Sequence, residues 1–279
     1  MINETAYEVI EDIKCYAPTL AFEGSDYPSG RFEILYELQP KSFWFKSRSR
    51  VIEYLFEKYL GTVNSCTVLE IGCGTGFVLQ GLSKFKNLKL YGAELEMNAI
   101  KFAKRNLSNV EFFQLDARKL PFSEYFNAIA TFDLLEHIEE DTLVMENIYK
   151  SLKTGGYFFI SVPQHKWLWS KVDEVGCHKR RYTLDELTSK LRKARFSVVH
   201  VNSFLFTLLP LMLLSRLLTR ITGKLLPKIK SVEQEHDELI VNPLVNNVLD
   251  IFMSLDELLT KCNIKMPVGG SLIVVAKKD

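Results

Sequence analysis

The chain is short of cysteine, of net charge and of long apolar runs, and each shortage excludes something. Its five cysteines (Cys15, Cys66, Cys73, Cys177, Cys262) are odd in number, scattered and never arranged as C-x-x-C. That argues against a disulfide framework and a zinc site, and it fits a reducing compartment. The start, Met1-Ile2-Asn3-Glu4-Thr5, has no basic region leading into an apolar core, so no secretory signal is expected. A net charge of +1 gives no global field to gather nucleic acid, and no nucleic-acid partner is expected. No stretch reaches the roughly twenty apolar residues that cross a bilayer. With 47% hydrophobic and 25% charged residues, the 279-residue chain has the composition of a folded globular protein.

The most informative stretch is Val68-Leu69-Glu70-Ile71-Gly72-Cys73-Gly74-Thr75-Gly76. A buried strand runs into a tight glycine loop, where backbone can approach a ligand closely because glycine has no Cβ. The third glycine of the dinucleotide fingerprint would fall at Phe77, and no Lys-Ser/Thr pair follows, so neither a pyrophosphate site nor a P-loop is indicated. The expected ligand is nucleoside-like.

Strand patterns near 67–72, 89–94, 110–115, 126–132 and 157–163 alternate with helical patterns near 75–85, 97–106 and 139–153. Thr154-Gly155-Gly156 is expected to close the last of these helices. A helix is expected over 46–60, with loops and short helices before it. A capping box at Thr183-Leu184-Asp185-Glu186 opens a further helix with Leu184, Leu187 and Leu191 inward. Strand signals follow near 196–203 and from Ser271 to Ala276, with loop over 225–243 and a helix near 244–261. The fold class is α/β, a mostly parallel doubly wound sheet. The expected divisions are an N-terminal lid over 1–60, a core over 61–203, an insertion over 204–266 and the last core strand over 267–279.

Ligands of such sheets sit at the carboxyl ends of strands, near the point where strand order reverses. The strand ends supply Glu94, suited to ribose hydroxyls, then Asp116, suited to an exocyclic amine, then Asp133-Leu134-Leu135-Glu136-His137. In order and at this spacing, these residues resemble the class I S-adenosylmethionine-dependent methyltransferases, as do Leu120-Pro121-Phe122 and Leu152-Lys153-Thr154-Gly155-Gly156. The resemblance covers about 60–200. It implies a Rossmann-like seven-stranded sheet with an antiparallel last strand between strands five and six. It also implies a cofactor set of Glu70, Gly72, Cys73, Gly74, Gly76, Glu94, Leu95, Asp116, Ala117 and Asp133.

Methyl transfer to a hydroxyl is helped by a general base. His137 is the first candidate and His165 the second; His137 is otherwise a residue that orders its loop. Asp133, Glu136 and His137 also look like the metal motif of ubiquinone-biosynthesis O-methyltransferases, although no metal is expected. The stretch from Pro163 to Tyr182 resembles a bacterial branch of the family. Trp167 and Trp169 are candidate acceptor walls, Arg180 and Arg181 a candidate anion clamp beside Tyr182, and Trp44 part of the lid, in an aromatic run expected before the first helix.

The run from Phe204 to Leu214 is too apolar for water. It is expected to cover a pocket, a second subunit or a membrane surface through 204–222, helped by Arg216, Arg220, Lys224, Lys228 and Lys230. Pro210 is expected to kink any helix through it. The reading is an S-adenosylmethionine-dependent O-methyltransferase acting on a small-molecule, quinone-like or lipid-linked acceptor, in the cytoplasm or at the inner face of the membrane. The alternatives are a catalytically silent cofactor-binding partner protein and, further off, an NAD-dependent oxidoreductase.

Overall fold

Strand β3 (Cys66–Ile71) lies at the centre of the sheet and is buried on both faces, which is why it reads as an almost unbroken apolar run. The structure, a computed structural model, describes residues 7–22, 30–222 and 242–279. Parallel neighbours β4 (Leu88–Glu94) and β6 (Phe126–Phe132) flank β3. Beyond β4 lies β5 (Glu111–Gln114), and beyond β6 lies β7 (Leu152–Pro163). The chain therefore winds one way from β3 and the other way from β6, and a crevice opens at their carboxyl ends. Strand β9 (Ser271–Lys277) runs antiparallel between β7 and β8 (Ser197–Phe204), the arrangement that the resemblance implied.

The sheet has nine strands rather than seven. The additional pair, β1 (Glu8–Ile10) and β2 (Ile13–Cys15), forms a hairpin that extends the edge at β5. Three-residue strands are too short to show a period of two, so this part of the chain reads as loop.

Alternate side chains feed two cores. On one face, Val68, Leu90, Ala128, Phe159 and Val275 meet α2 (Phe43–Leu60), α3 (Phe77–Leu82) and α4 (Met97–Asn106). On the other, Leu69, Ile129, Phe158, Ile160 and Val274 meet α5 (Asp141–Ser151) and α7 (Leu184–Lys193). Phe56 of α2 stacks on Phe159 with ring centroids 4.1 Å apart, both fully buried.

Several local expectations need correction. Helix α5 ends at Ser151, and Leu152 is already extended. Gly155, with φ +79°, lies within β7 where its register against β6 shifts, and its N–H donates to the Lys278 carbonyl. Thr183 caps α7 by accepting the Glu186 N–H, but Leu184 is exposed; only Leu187 and Leu191 point inward. Phe43-Trp44-Phe45 form the first turn of α2 and do not precede it, and α1 (Arg31–Leu38) comes before α2. Pro210 sits in the first turn of α8 (Leu209–Thr222), where a helix needs no N–H from it, so no kink follows. The 225–243 loop lies almost wholly outside the described residues, as do Lys224, Lys228 and Lys230.

Helix α9 (Pro243–Lys261) runs alongside α2 in the same direction. Asn246 Oδ1 accepts the Phe43 N–H at 2.9 Å, and Arg50 donates to Glu257 at 2.6–2.9 Å and to Asp250 at 2.8 Å. Ser47 donates to Glu257 at 2.8 Å, and Asp256 accepts the Phe206 and Thr207 amides. The two ends of the chain are thus joined by polar contacts on the outer side of α2.

Candidate active site

The loop after β3 turns through three left-handed glycines, with φ of +73° at Gly72, +51° at Gly74 and +79° at Gly76. Their surroundings differ. A Cβ at Gly72 would stand 2.9 Å from Leu134, and one at Gly76 would stand 2.7 Å from Leu107, so these two serve the loop's own packing. At Gly74 the nearest atom would be Phe32, at 4.0 Å, and the backbone there faces open space.

Glu94, at the end of β4, closes the loop from the side. Its Oε2 accepts the Gly74 N–H at 3.0 Å and its Oε1 accepts the Leu95 N–H at 2.7 Å. Burial raises its pKa against the lowering effect of these amides. Gln114 fixes the next turn by donating to the Leu95 and Ala17 carbonyls. The roof comes from the N-terminal segment: Thr75 Oγ1 meets Gln39 Oε1 at 2.6 Å, and Arg31 donates to the Val175 carbonyl. Asp116 is held by Arg118 through a bidentate pair of 2.8–3.0 Å. Burial opposes its ionisation, but the Arg118 hydrogen bonds prevail and keep its pKa below the usual range. Ala117 is buried beside it, and Cys73 is buried in the glycine loop.

The floor is a buried set of ionisable groups. Glu70 is 3% exposed and its Oε2 has no hydrogen-bond partner. Glu136 is wholly buried and neither of its oxygens has a hydrogen-bond partner, although Oε1 lies 4.0 Å from His178 Nε2. Burial pushes both carboxyls up to about 8, against the attraction of Arg48. Arg48 reaches into this floor from α2, stacks over the Trp44 ring at 4.5 Å and pairs with Asp133. Burial lowers its own pKa to about 10. Asp133 also accepts from Ser161 Oγ at 3.0 Å and holds a left-handed backbone with φ of +54°.

Beside the floor, His137 lies edge-on to His178, with ring centroids 4.8 Å apart, and hydrogen-bonds the Cys177 backbone. Burial, then the neighbouring His178 and Arg31, depress its pKa to about 4. The bond to the Cys177 backbone is the kind of contact a loop-ordering histidine makes. Glu136, His137 and His178 bring one ligand atom each within 4.8 Å of one another, whereas Asp133 of the sequence motif is turned to Arg48 and Ser161. His178 Nδ1 lies 3.0 Å from Asp173 Oδ1.

The loop after β7 departs most from expectation. Arg181 is buried and bonded to Asp173 at 2.7 and 3.1 Å, and Arg180 is paired with Glu139 and Asp141. Neither guanidinium is free to clamp an anion. Tyr182 is buried, with its hydroxyl donating to Asp141 at 2.6 Å. Trp167 and Trp169 are 50% and 37% exposed, so neither walls a closed pocket. His165 has a left-handed backbone, φ +63°, stacks on Trp167 and leaves a buried Nε2 without a partner. Burial, then Arg181, lowers its pKa.

Two residues with roles here carried too little signal alone. Arg48 breaks the apolar stripe of Phe45, Val51, Ile52 and Leu55 on α2, and a charge inside such a stripe was the available clue. Asp173 stands in a Ser170-x-x-Asp173 capping box, which announces a helix start but not that it also holds His178 and Arg181.

The family model described as a methyltransferase domain matches residues 63–201. A ubiquinone biosynthesis O-methyltransferase from Nitrosomonas europaea is 24% identical over 141 residues, which are 48% of this chain and 55% of that protein. A malonyl-[acyl-carrier protein] O-methyltransferase from Bacillus cereus is 31% identical over 127 residues, 43% of this chain and 46% of that protein. The chain spans about half the length of these curated relatives. Among solved structures, phosphoethanolamine N-methyltransferase 2 from Haemonchus contortus, in complex with S-adenosyl-L-methionine, shares the fold at a TM-score of 0.54 and 18% identity. That match covers 81% of this chain and 51% of the other.

Proposed function

The chain belongs, through residues 63–201, to the class I S-adenosylmethionine-dependent methyltransferases, and from that premise we propose that it methylates an oxygen of an apolar, quinone-like or lipid-linked acceptor. The observation that carries the cofactor half is the closure of the glycine loop by Glu94 at the point where strand order reverses. The residues fit the cofactor. Gly74 offers open backbone, Glu94 presents a carboxylate for two ribose hydroxyls, and Glu70 keeps a buried oxygen without a partner beneath the loop, suited to an ammonium group. Asp116 can accept an adenine amine with the oxygen lone pairs that Arg118 leaves free.

S-adenosylmethionine would supply a methyl carbon already activated by its sulfonium, whose sulfur can take the C–S bonding pair when an acceptor oxygen bonds that carbon. The protein's share is alignment, exclusion of water and acceptance of one proton. His165 is the better proton acceptor of the two histidines, because its Nε2 is unpartnered while His137 is committed to its loop. The oxygen acceptor is favoured by the names of two relatives, a ubiquinone and a malonyl-carrier O-methyltransferase.

The test is incubation of the protein with methyl-labelled S-adenosylmethionine and cell extract, followed by separate analysis of the lipid and aqueous fractions. Labelled methyl ether or ester in the lipid fraction, with stoichiometric S-adenosylhomocysteine, is the expected result. Cofactor binding with no labelled product from any fraction would favour the catalytically silent reading.

A further inference from the structure

Strand β8, at the edge of the sheet, carries a bulge that re-aims one side chain. Its register against β9 slips between Val198 and His200, so Val199 is an extra residue in the strand and stands exposed. Val198 and Val201 both pack on the core that α5 and α7 cover, a spacing of three that strict alternation forbids. The bulge turns His200 to the opposite face, where its ring meets Tyr59 of α2 edge-on with centroids 6.3 Å apart. Without the extra residue, His200 would share the face of Val198.

On that face His200 borders a cleft of about 400 Å³ formed by the end of α2, β8 and the turn after α9. A volume of this size suits a small molecule. His200 Nε2 is buried without a hydrogen-bond partner. Lys58 and Lys265 line the same cleft, and no carboxylate does. Burial, then these two cations, lower the His200 pKa to about 4. Lys58 Nζ donates to the Asn263 side-chain oxygen at 3.1 Å, and among the described residues neither lysine pairs with an acid. The negative end of α2 suits Lys58, but Lys265 lies past the end of α9, so helix ends do not account for the cluster. Other cations of this fold are answered by the protein itself: Arg48 by Asp133, Arg50 by Glu257 and Arg181 by Asp173. Around His200 the described residues offer no such counter-charge, while Tyr59 and the half-exposed Ile264 add apolar wall.

We propose that this cleft is a second binding site, separate from the glycine loop, for a small organic molecule bearing a phosphate or carboxylate group. Lys58 and Lys265 neutralise the anion as point charges, and Tyr59 and Ile264 cover the organic part. The anion also offsets the two cations that keep the imidazole neutral, so its arrival raises the His200 pKa. Lys58 stands roughly 15 Å along α2 from Arg48, so an occupant here leaves the cofactor crevice open. The inference does not depend on the acceptor or on methyl transfer.

The experiment is titration of the full chain with phenyl phosphate or benzoate at constant ionic strength, read by calorimetry and by the His200 ring resonances, which His200→Gln assigns. Each titration is run with and without saturating S-adenosylhomocysteine. Saturable binding that S-adenosylhomocysteine does not displace is expected, with an upward shift of the His200 pKa. The tighter of the two probes identifies the anionic group. Lys58→Met/Lys265→Met, at two exposed positions, should bind at least about tenfold more weakly and keep the wild-type melting midpoint and cofactor affinity. Four results would overturn the proposal. Neither probe could bind saturably. The double variant could bind as well as the wild type. S-adenosylhomocysteine could displace the probe, which would place it in the cofactor crevice. Or sodium chloride alone could reproduce the shift of His200, which would reduce the effect to screening.

Discussion

Arg48→Met removes a buried cation and keeps most of the stem that carries it, so it isolates charge from packing. Arg48 pairs with Asp133 and attracts both Glu70 and Glu136, and all four groups are largely buried. Stripping one partner from a buried pair costs about 3–5 kcal/mol, because the other charge is left without compensation. Loss of the guanidinium over Trp44 adds about 1 kcal/mol. Proton uptake by the carboxyls limits the total, since Glu70 and Glu136 already titrate near 8 and need little to become neutral. A net loss of about 3 kcal/mol at neutral pH follows, a large part of the 5–15 kcal/mol typical of a folded domain.

The pH dependence carries the sharper test. Without Arg48 the folded-state pKa values of its carboxylate neighbours rise further above their unfolded values. A carboxyl raised in this way contributes stability that is fully present below its unfolded pKa and is lost as pH rises through the folded one. The deficit of Arg48→Met should therefore be larger at about pH 8 than at about pH 6. Urea unfolding at both values reads it directly, and adding Asp133→Asn should restore about half of the loss by removing the stranded charge. Equal stability of Arg48→Met and wild type at both pH values, or strict additivity with Asp133→Asn, would refute the picture of a counter-charge beneath the glycine loop.

Three further outcomes are expected. Glu94→Ala should weaken S-adenosylmethionine binding at least about tenfold, or ~1.4 kcal/mol, with an unchanged circular dichroism spectrum; unaltered calorimetric affinity would remove Glu94 from the site. Glu136→Gln keeps the shape of a side chain whose carboxyl is raised to about 8. Its stability relative to wild type should therefore grow as pH climbs from about 4.5 to about 8, and parallel stability curves would show that Glu136 does not titrate there. His165→Ala should lower kcat by about 100-fold or more with little change in cofactor affinity, whereas His137→Ala should disturb both. The reverse pattern would return the base to His137.

The parallel core was legible because β3, β6 and β7 are buried on both faces and so appear as separate apolar runs between helical periods. The residues proposed for the cofactor could be named because they follow those runs directly: Gly72 after β3, Glu94 at the end of β4 and Asp133 after β6. What failed depends on partners far away in sequence. Arg180 and Arg181 read as an anion clamp because arginine suits one, but Asp141 and Asp173 occupy them. Asp173 comes from α6 (Lys171–Val175) and Asp141 from the start of α5, and no local pattern announces either pairing. His137 ranked ahead of His165 because it stands at a strand end, and the contacts that now favour His165, a buried Nε2 without a hydrogen-bond partner, come from the fold.

Helix α9 shows the same gap most clearly. A period of 3.6 reveals that a helix has an apolar side, but it gives no sign for the direction in which that side faces. The sign is set by α2. Its apolar residues Val51, Ile52, Leu55 and Phe56 are committed to the sheet, and it offers Ser47 and Arg50 on the outside. A helix docking there can satisfy Arg50 only by turning its own acids inward, as Asp250 and Glu257 do. The Leu, Ile and Phe side chains of α9 must then face away from the protein, because they share the helix with those acids. Reversing α9 would bury the stripe at the cost of separating Arg50 from Glu257, whose side chain is 9% exposed, and of exchanging the seam's hydrogen bonds for apolar contacts that the outer side of α2 does not offer. The outward stripe therefore follows from the polar seam between the two helices.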